Sequence, residues 1–320
     1  MLKVTAVFVV AAALTVVSPS AAEAADEARV VGERWLDSRT VDLTIASPAV
    51  GRTMPVRLLV PNGWSKRAAR TWPVVYLLHG ARDDYTSWTR ETDIEAKAAS
   101  SGALVVMPDA GWAASYTDWW NYGKGGPPAF ETFHLKELLG ILERDYKAGD
   151  KRGVVGVSAG GYGAFAYAAR HPKMFRFAGS YSGFVATQLP GVPVLMMAAV
   201  SAAGLDAIGM WGPPYGRVWR QHDPLYLANR LRGLGLHLSS GLTGLPGPLD
   251  KPDEPWTASE VLAGKTSTVM ARKLKRLKIP AKVHLYEKGR HAWPYWQKEL
   301  DDTWPDLLRS IGAASAASQR

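Results

Sequence analysis

The 320-residue chain contains no cysteine. That excludes a thiol nucleophile, a thiolate zinc site, an iron–sulfur cluster and any disulfide framework, so the fold must be held by its core alone. No apolar run reaches the roughly 20 residues that a membrane-spanning helix needs. Acidic residues are in deficit, 29 against 38 Lys and Arg, for a formal charge of +9. No nucleic-acid recognition motif accompanies that excess, so nucleic acid is set aside as a partner, and an anionic cell-envelope or membrane surface is the partner the charge suits. The densest basic run, Arg272 to Lys278, precedes Pro280 and suits the solvated end of a helix, where cations are favoured. Internal repeats are absent too, leaving one large domain, which 47% apolar residues can supply with a core.

The first residues read as a secretory leader. Lys3 gives the positive start, Val4 to Val17 the apolar stretch, and Ala22-Glu23-Ala24 the cleavage signature. The expected organisation is a signal peptide over 1–24, one domain over 25–311 and a disordered tail over 312–320. The mature chain keeps the charge of +9, because Lys3 and Glu23 leave together.

Along the domain, strand patterns fall at Val41–Ser47, Met54–Pro61, Trp72–Leu78, Leu104–Pro108, Arg152–Val157, Phe177–Tyr181, Leu236–Ser240 and Ala281–Tyr286. Helical patterns fall at Asp93–Ser101, Phe130–Tyr146, Gly160–His171, within Ala258–Leu277, and at Pro294–Ile311. This alternation predicts an α/β fold with a mostly parallel central sheet and helices on both faces. Residues 183–224 break the rhythm. Rich in Met, Trp and Pro, they read as an excursion over the sheet's C-terminal edge, walling an apolar acyl pocket or packing as satellite core.

The stretch Gly156-Val157-Ser158-Ala159-Gly160 joins a short buried strand to an Ala-rich helix. A G-x-S-x-G in that setting is a nucleophile elbow, with the serine raised on a sharp turn and helix N-terminal N–H groups beside it. A serine hydroxyl needs a base, and the base needs an acid to fix its tautomer. The chain order in the α/β-hydrolase fold is Ser, then Asp or Glu, then His. His237 and His284 lie in strand patterns, whereas His291 lies in the loop after the last strand and is the expected base. Asp250, Asp253, Glu254 and Glu260 all stand where the acid is due, and position alone does not choose among them. For the oxyanion, the expected donors are the backbone N–H of Ala159 and, from the loop after Trp72–Leu78, that of Ala81. His79 with Asp83 and Asp84 matches no standard metal spacing, and no metal or organic cofactor is expected.

Longer blocks carry a resemblance. Asp83-Asp84-Tyr85 with Trp88, Tyr116-Thr117-Asp118-Trp119, Ser180-Tyr181-Ser182-Gly183, Met210-Trp211-Gly212-Pro213 and His291-Ala292-Trp293-Pro294-Tyr295-Trp296 are similar to the secreted mycolyltransferases of the antigen 85 family, within the esterase D group of α/β-hydrolases. The resemblance spans about Pro55 to Ile311. It implies Glu260 as the acid, and substrate contacts from Ala81 and Arg82, from the turn Leu262 to Lys265, and from His291 and Trp293. It also implies a secreted acyl esterase or acyltransferase acting on fatty-acyl or related esters, with water, an alcohol or a polyol as acceptor. Two departures stand out: His79 replaces an acidic residue, and Ala186 an Asp or Asn, that sugar-binding members carry. They imply retained acyl-enzyme chemistry with the acceptor open, because a site built to hydrogen-bond a polyol discriminates strongly. A non-catalytic envelope- or matrix-binding protein on the same scaffold is the alternative, and a cytosolic thioester hydrolase resembling S-formylglutathione hydrolase is a third reading that the leader opposes.

Overall fold

The computed structural model describes residues 27–251 and 253–313. The expected leader and residues 314–320 of the expected tail lie outside the described residues. Among the described residues nine strands form one sheet in the order β1-β2-β3-β5-β4-β6-β7-β8-β9. They are β1 Arg29–Trp35, β2 Thr40–Ser47, β3 Arg52–Leu59, β4 Trp72–Leu78, β5 Leu104–Pro108, β6 Ala148–Val157, β7 Phe177–Tyr181, β8 Gly235–Gly241 and β9 Lys282–Tyr286. The first three are antiparallel, β3 joins β5 antiparallel, and from β5 to β9 every neighbour is parallel.

The helices are α1 Ser87–Glu91, α2 Ile94–Ser101, α3 Phe130–Thr132, α4 Leu138–Tyr146, α5 Ala159–Arg170, α6 Val192–Ala202, α7 Ala207–Trp211, α8 Arg217–Gln221, α9 Ala258–Arg276 and α10 Trp293–Ile311. Side chains alternate across a strand, so β4 sends Val74, Tyr76 and Leu78 to one face and Val75 and Leu77 to the other. The first set packs with α4, α5 and α9, the second with α2 and α10. Strands buried on both faces read as continuous apolar runs, which is why VVYLL and LVVM stood out in the sequence. Pro294 opens α10 and Gly312 closes it in the left-handed conformation at φ 65°. Ala313 packs against the same core.

The expected parallel sheet with helices on both faces is the observed one. Two local features differ from the expected ones. β1 gave no strand signal because it is an edge strand, largely exposed and without apolar alternation. The single helix expected over Phe130–Tyr146 contains a π-helical stretch at Phe133–Glu137. There Glu137 accepts from the Ala49 N–H at 2.8 Å, and His134 faces inward. Residues 183–224 do both things expected of them. α6 and α7 wall a cavity, while Trp219 and His222 are core, packed around Trp211 at ring separations of 5.0 and 4.9 Å.

Chain order reverses across β4, which lies between β5 and β6. This is the switch point at which the loops after β4 and β6 diverge and leave a crevice at the C-terminal edge of the sheet.

Two buried histidines give the fold a pH dependence. His134 lies between the Tyr167 hydroxyl and the Asp109 carbonyl, at 2.8 and 2.9 Å, and burial pushes it down to about 4. His222 lies against Trp211 and the Thr117 hydroxyl, and burial, aided by the nearby Arg170 charge, pushes it down to about 3. The unfolded chain takes up these protons near pH 6.5 and the folded chain does not, so stability is full above that value and falls as pH drops. Between about pH 6 and pH 4 the pair contributes a loss on the order of 2–3 kcal/mol per pH unit. Denaturant unfolding across that range checks it: His222→Asn flattens the slope by about one proton's worth, and an unchanged slope contradicts the assignment.

Candidate active site

Ser158 sits between the last residue of β6 and the first of α5, at φ 54° and ψ −120°. Few non-glycine residues adopt that conformation, which costs on the order of 1–3 kcal/mol and persists only when its surroundings enforce it. They do so by close backbone contact. A Cβ on Gly156 would lie 2.1 Å from the Gly160 carbonyl oxygen, and one on Gly160 would lie 2.2 Å from that of Leu78. Only glycines allow β6, α5 and β4 to meet so tightly. The Ser158 N–H donates to the Tyr181 carbonyl at 2.9 Å, fixing the turn from the β7 side.

His291 arrives on the loop after β9, its N–H donating to the Thr257 hydroxyl at 3.2 Å. Its Nε2 is 2.7 Å from Ser158 Oγ, and its Nδ1 is 2.7 Å from Glu260 Oε2. A carboxylate oxygen accepts, so Nδ1 carries the proton and Nε2 is free to accept from the serine hydroxyl. Phe184 stacks on the imidazole at 6.2 Å, and Trp296 meets it edge-on at 5.1 Å.

Glu260, in the first turn of α9, is fully buried. Its Oε1 accepts from Ser182 Oγ at 2.9 Å, Ser240 Oγ at 2.9 Å and the Gly241 N–H at 2.6 Å. With His291 on the other oxygen, four donors satisfy the group, as burial of a carboxyl requires. Ser182 also accepts from Trp296 Nε1 at 3.1 Å, which ties the carboxyl and the imidazole to one indole. The other three acidic residues at this point of the sequence stand elsewhere. Asp250 and Glu254 pair with Arg290, and Asp253 is exposed.

Ala81 and Ala159 both line the cavity into which Ser158 and His291 open. Ala159 is the first residue of α5, where a helix leaves its N–H unpaired. Ala81 donates to no protein acceptor among the described residues, whereas the next N–H, of Arg82, donates to the Trp112 carbonyl at 2.7 Å. Arg82 also lines the cavity, its guanidinium 5.3 Å above the Trp112 ring. Leu262 and Trp293 are not in that lining. Leu262 packs against the cluster that Phe184 forms with Val192 and Ala263, and Trp293 lies between Trp88 and Trp296 at 5.3 and 5.1 Å. His79, Asp83 and Asp84 do not converge on a common point: both ring nitrogens of His79 are engaged by backbone, and Asp83 pairs with Arg90.

The cavity measures about 540 Å³, within the range of small-molecule sites. Leu195, Met196 and Ala199 of α6, Met210 and Trp211 of α7, and Tyr162 of α5 make it predominantly apolar. Arg82, Ser115, Thr117 and Ser259 add polar groups to that lining, Thr117 accepting from Trp211 Nε1 at 3.0 Å.

The Esterase family model, whose description reads "Putative esterase", matches residues 47–307. The chain is 33% identical over 282 residues to the diacylglycerol acyltransferase/mycolyltransferase Ag85B of Mycobacterium leprae, covering 85% of this chain and 84% of that one. This chain belongs to the antigen 85-like esterases. The Mycolicibacterium smegmatis Ag85B is 32% identical over 284 residues, covering 84% and 85%. Among solved structures, Mycobacterium tuberculosis MPT51 superposes with a TM-score of 0.71 at 26% identity, covering 86% of this chain and all of that one. An S-formylglutathione hydrolase from Agrobacterium tumefaciens shares the fold, with a TM-score of 0.68 at 15% identity over 88% and 99% of the two chains. Esterase or acyltransferase activity is the activity of this family.

Sequence reasoning did not single out Ser182, Ser240 and the Gly241 N–H as partners of Glu260. Their signal was faint: polar residues ending two adjacent parallel strands, at the edge where such sheets place their sites. Ser182→Ala and Ser240→Ala each remove a buried donor from a carboxyl group. Each is expected to cost about 1.5–3 kcal/mol of unfolding free energy. Denaturant midpoints check this, and midpoints equal to that of the parent would contradict it.

Proposed function

We propose that the chain is a secreted serine-dependent acyl esterase/acyltransferase that works through an acyl-enzyme on fatty-acyl or related carboxylic esters. The observation that carries the reading is the relay Ser158 Oγ–His291–Glu260, each step 2.7 Å, opening into an apolar cavity. His291 takes the Ser158 proton as Oγ attacks the ester carbonyl, and Glu260 holds the imidazole and stabilises the imidazolium that forms. The Ala81 and Ala159 N–H groups bind the tetrahedral oxyanion, where one lost donor costs roughly 3–4 kcal/mol. Collapse expels the alcohol, protonated by His291. A second nucleophile, activated by the same His291, then releases the acyl group.

Water is the acceptor that the site supports best. His79 is buried with both nitrogens on backbone partners, and Ala186 is fully buried, so neither offers a polyol a hydrogen bond. Arg82 is the guanidinium at the cavity wall, beside Ser115, Thr117 and Ser259, that contacts the ester or its leaving group. The leader expected over residues 1–24 and the charge of +9 support export and association with an anionic envelope surface. Among the described residues no helix is long and apolar enough to cross a membrane.

Ser158→Ala is expected to lower ester turnover by roughly four to six orders of magnitude. Undiminished turnover in that variant would overturn the reading. Ala199→Trp, which fills the α6 wall, is expected to lower kcat/KM for dodecanoyl esters about tenfold or more while sparing butyryl esters. Mass spectrometry of products with trehalose or glycerol present decides the acceptor. Free acid is the expected product, and an acylated polyol absent in Ser158→Ala would make this an acyltransferase.

A further inference from the structure

His79 is a buried titratable side chain that the mechanism above does not use. It is 1% exposed, and its two ring nitrogens have different backbone partners. Nε2 lies 3.0 Å from the Ala110 nitrogen, and Nδ1 lies 2.8 Å from the Gly80 carbonyl oxygen. The Ala110 N–H can only donate, so Nε2 must be the unprotonated nitrogen. Nδ1 therefore carries the hydrogen and donates it to Gly80 O. The chemistry of its partners fixes the tautomer without appeal to acidity.

The Gly80 carbonyl belongs to the same peptide group as the Ala81 N–H. In a planar trans peptide the C=O and N–H point in opposite directions, so a grip on one aims the other. Gly80 itself lies against the nucleophile: a Cβ on it would sit 3.3 Å from Ser158 Cβ and 3.9 Å from Ser158 Oγ. The chain beyond is fixed as well, with Arg82 at φ 65° and its N–H on the Trp112 carbonyl. The His79 carbonyl accepts from the Tyr116 hydroxyl at 2.8 Å. The Gly80 carbonyl, the His79 carbonyl and the Arg82 N–H are thus all held by protein around this peptide, while the Ala81 N–H has no protein acceptor among the described residues.

We infer that His79 is a positioning residue for the reaction: its Nδ1–H holds the Gly80 carbonyl so that the Ala81 N–H stays aimed at the oxyanion. Through Nε2 it also braces this loop against the one after β5, at the switch point of the sheet. The inference rests on the proposed role of Ala81 and deepens it.

Two variants separate the ring's two bonds. Asn places an amide N–H where Nδ1 stands and loses the contact to Ala110. Gln places its amide where Nε2 stands, keeping an acceptor for Ala110 but no donor for Gly80. With p-nitrophenyl butyrate as probe, His79→Gln is expected to lower kcat by about tenfold to a hundredfold, since a misaimed donor forfeits part of what a deleted one does. KM is expected to stay within about twofold, because the interaction belongs to the transition state. His79→Asn is expected to recover most of that kcat even where its melting temperature is lower. Inactivation by paraoxon, which passes through a similar charged oxygen, is expected to follow the same order. Equal kcat in both variants, whether both are intact or both reduced in step with stability, would overturn the inference and leave His79 a structural brace. Turnover surviving in Ser158→Ala would instead remove the serine mechanism beneath it.

Discussion

Two backbone contacts with no room for a methyl group, Gly156 on Gly160 and Gly160 on the β4 carbonyl of Leu78, hold the rest of this site in place. They force the chain to leave β6 and enter α5 within a single residue, and that residue is Ser158, held at positive φ. The strain is local, and the sheet meets it collectively. β6 is central, flanked by parallel partners on both sides, and its turn is pinned by the Tyr181 carbonyl of β7. A serine on a loop could sample many directions. This one has its hydroxyl directed at His291 Nε2, with the first N–H of α5 at its back.

The same economy runs outward from Ser158. His291 comes from a loop, yet its ring is fixed on four sides by Ser158, Glu260, Phe184 and Trp296. Glu260 is fixed in turn by the ends of β7 and β8, through Ser182, Ser240 and Gly241. On the opposite side of Ser158, His79 does for the β4 loop what these groups do for the carboxyl. Rigid strand ends therefore hold the polar groups, and α6 and α7 build the apolar wall.

Much of this was legible in the residues. The elbow was readable because its chemistry demands small residues at fixed offsets between a buried strand and a helix. The approach of His291 to Ser158 was readable because its loop follows the last strand, at the same edge of the sheet as the elbow. Which carboxyl faces His291 was not readable from position, since four carboxyl residues precede it at similar distances. Structure separates them by burial and by partners: Asp250 and Glu254 spend their charge on Arg290, while Glu260 is enclosed by donors. The edge strand β1 was invisible because an exposed strand carries no alternation, and the π-helical turn at Phe133–Glu137 because helix period barely changes over five residues. Leu262 and Trp293, expected from the resemblance to touch substrate, lie outside the cavity's lining, behind Phe184 and beside Trp296. The role of His79 depends on which nitrogen faces which backbone group, which no sequence pattern encodes.

The central claim is that Ser158 carries the acyl group between donor and acceptor. The most direct measurement is the mass of the intact protein, quenched in acid during turnover of a p-nitrophenyl ester, followed by peptide mapping. The account predicts one acyl adduct per chain, on the peptide containing Ser158, and its disappearance as substrate is exhausted. An adduct on another residue, or turnover by a protein acylated nowhere under trapping conditions that capture other serine esterases, would contradict it.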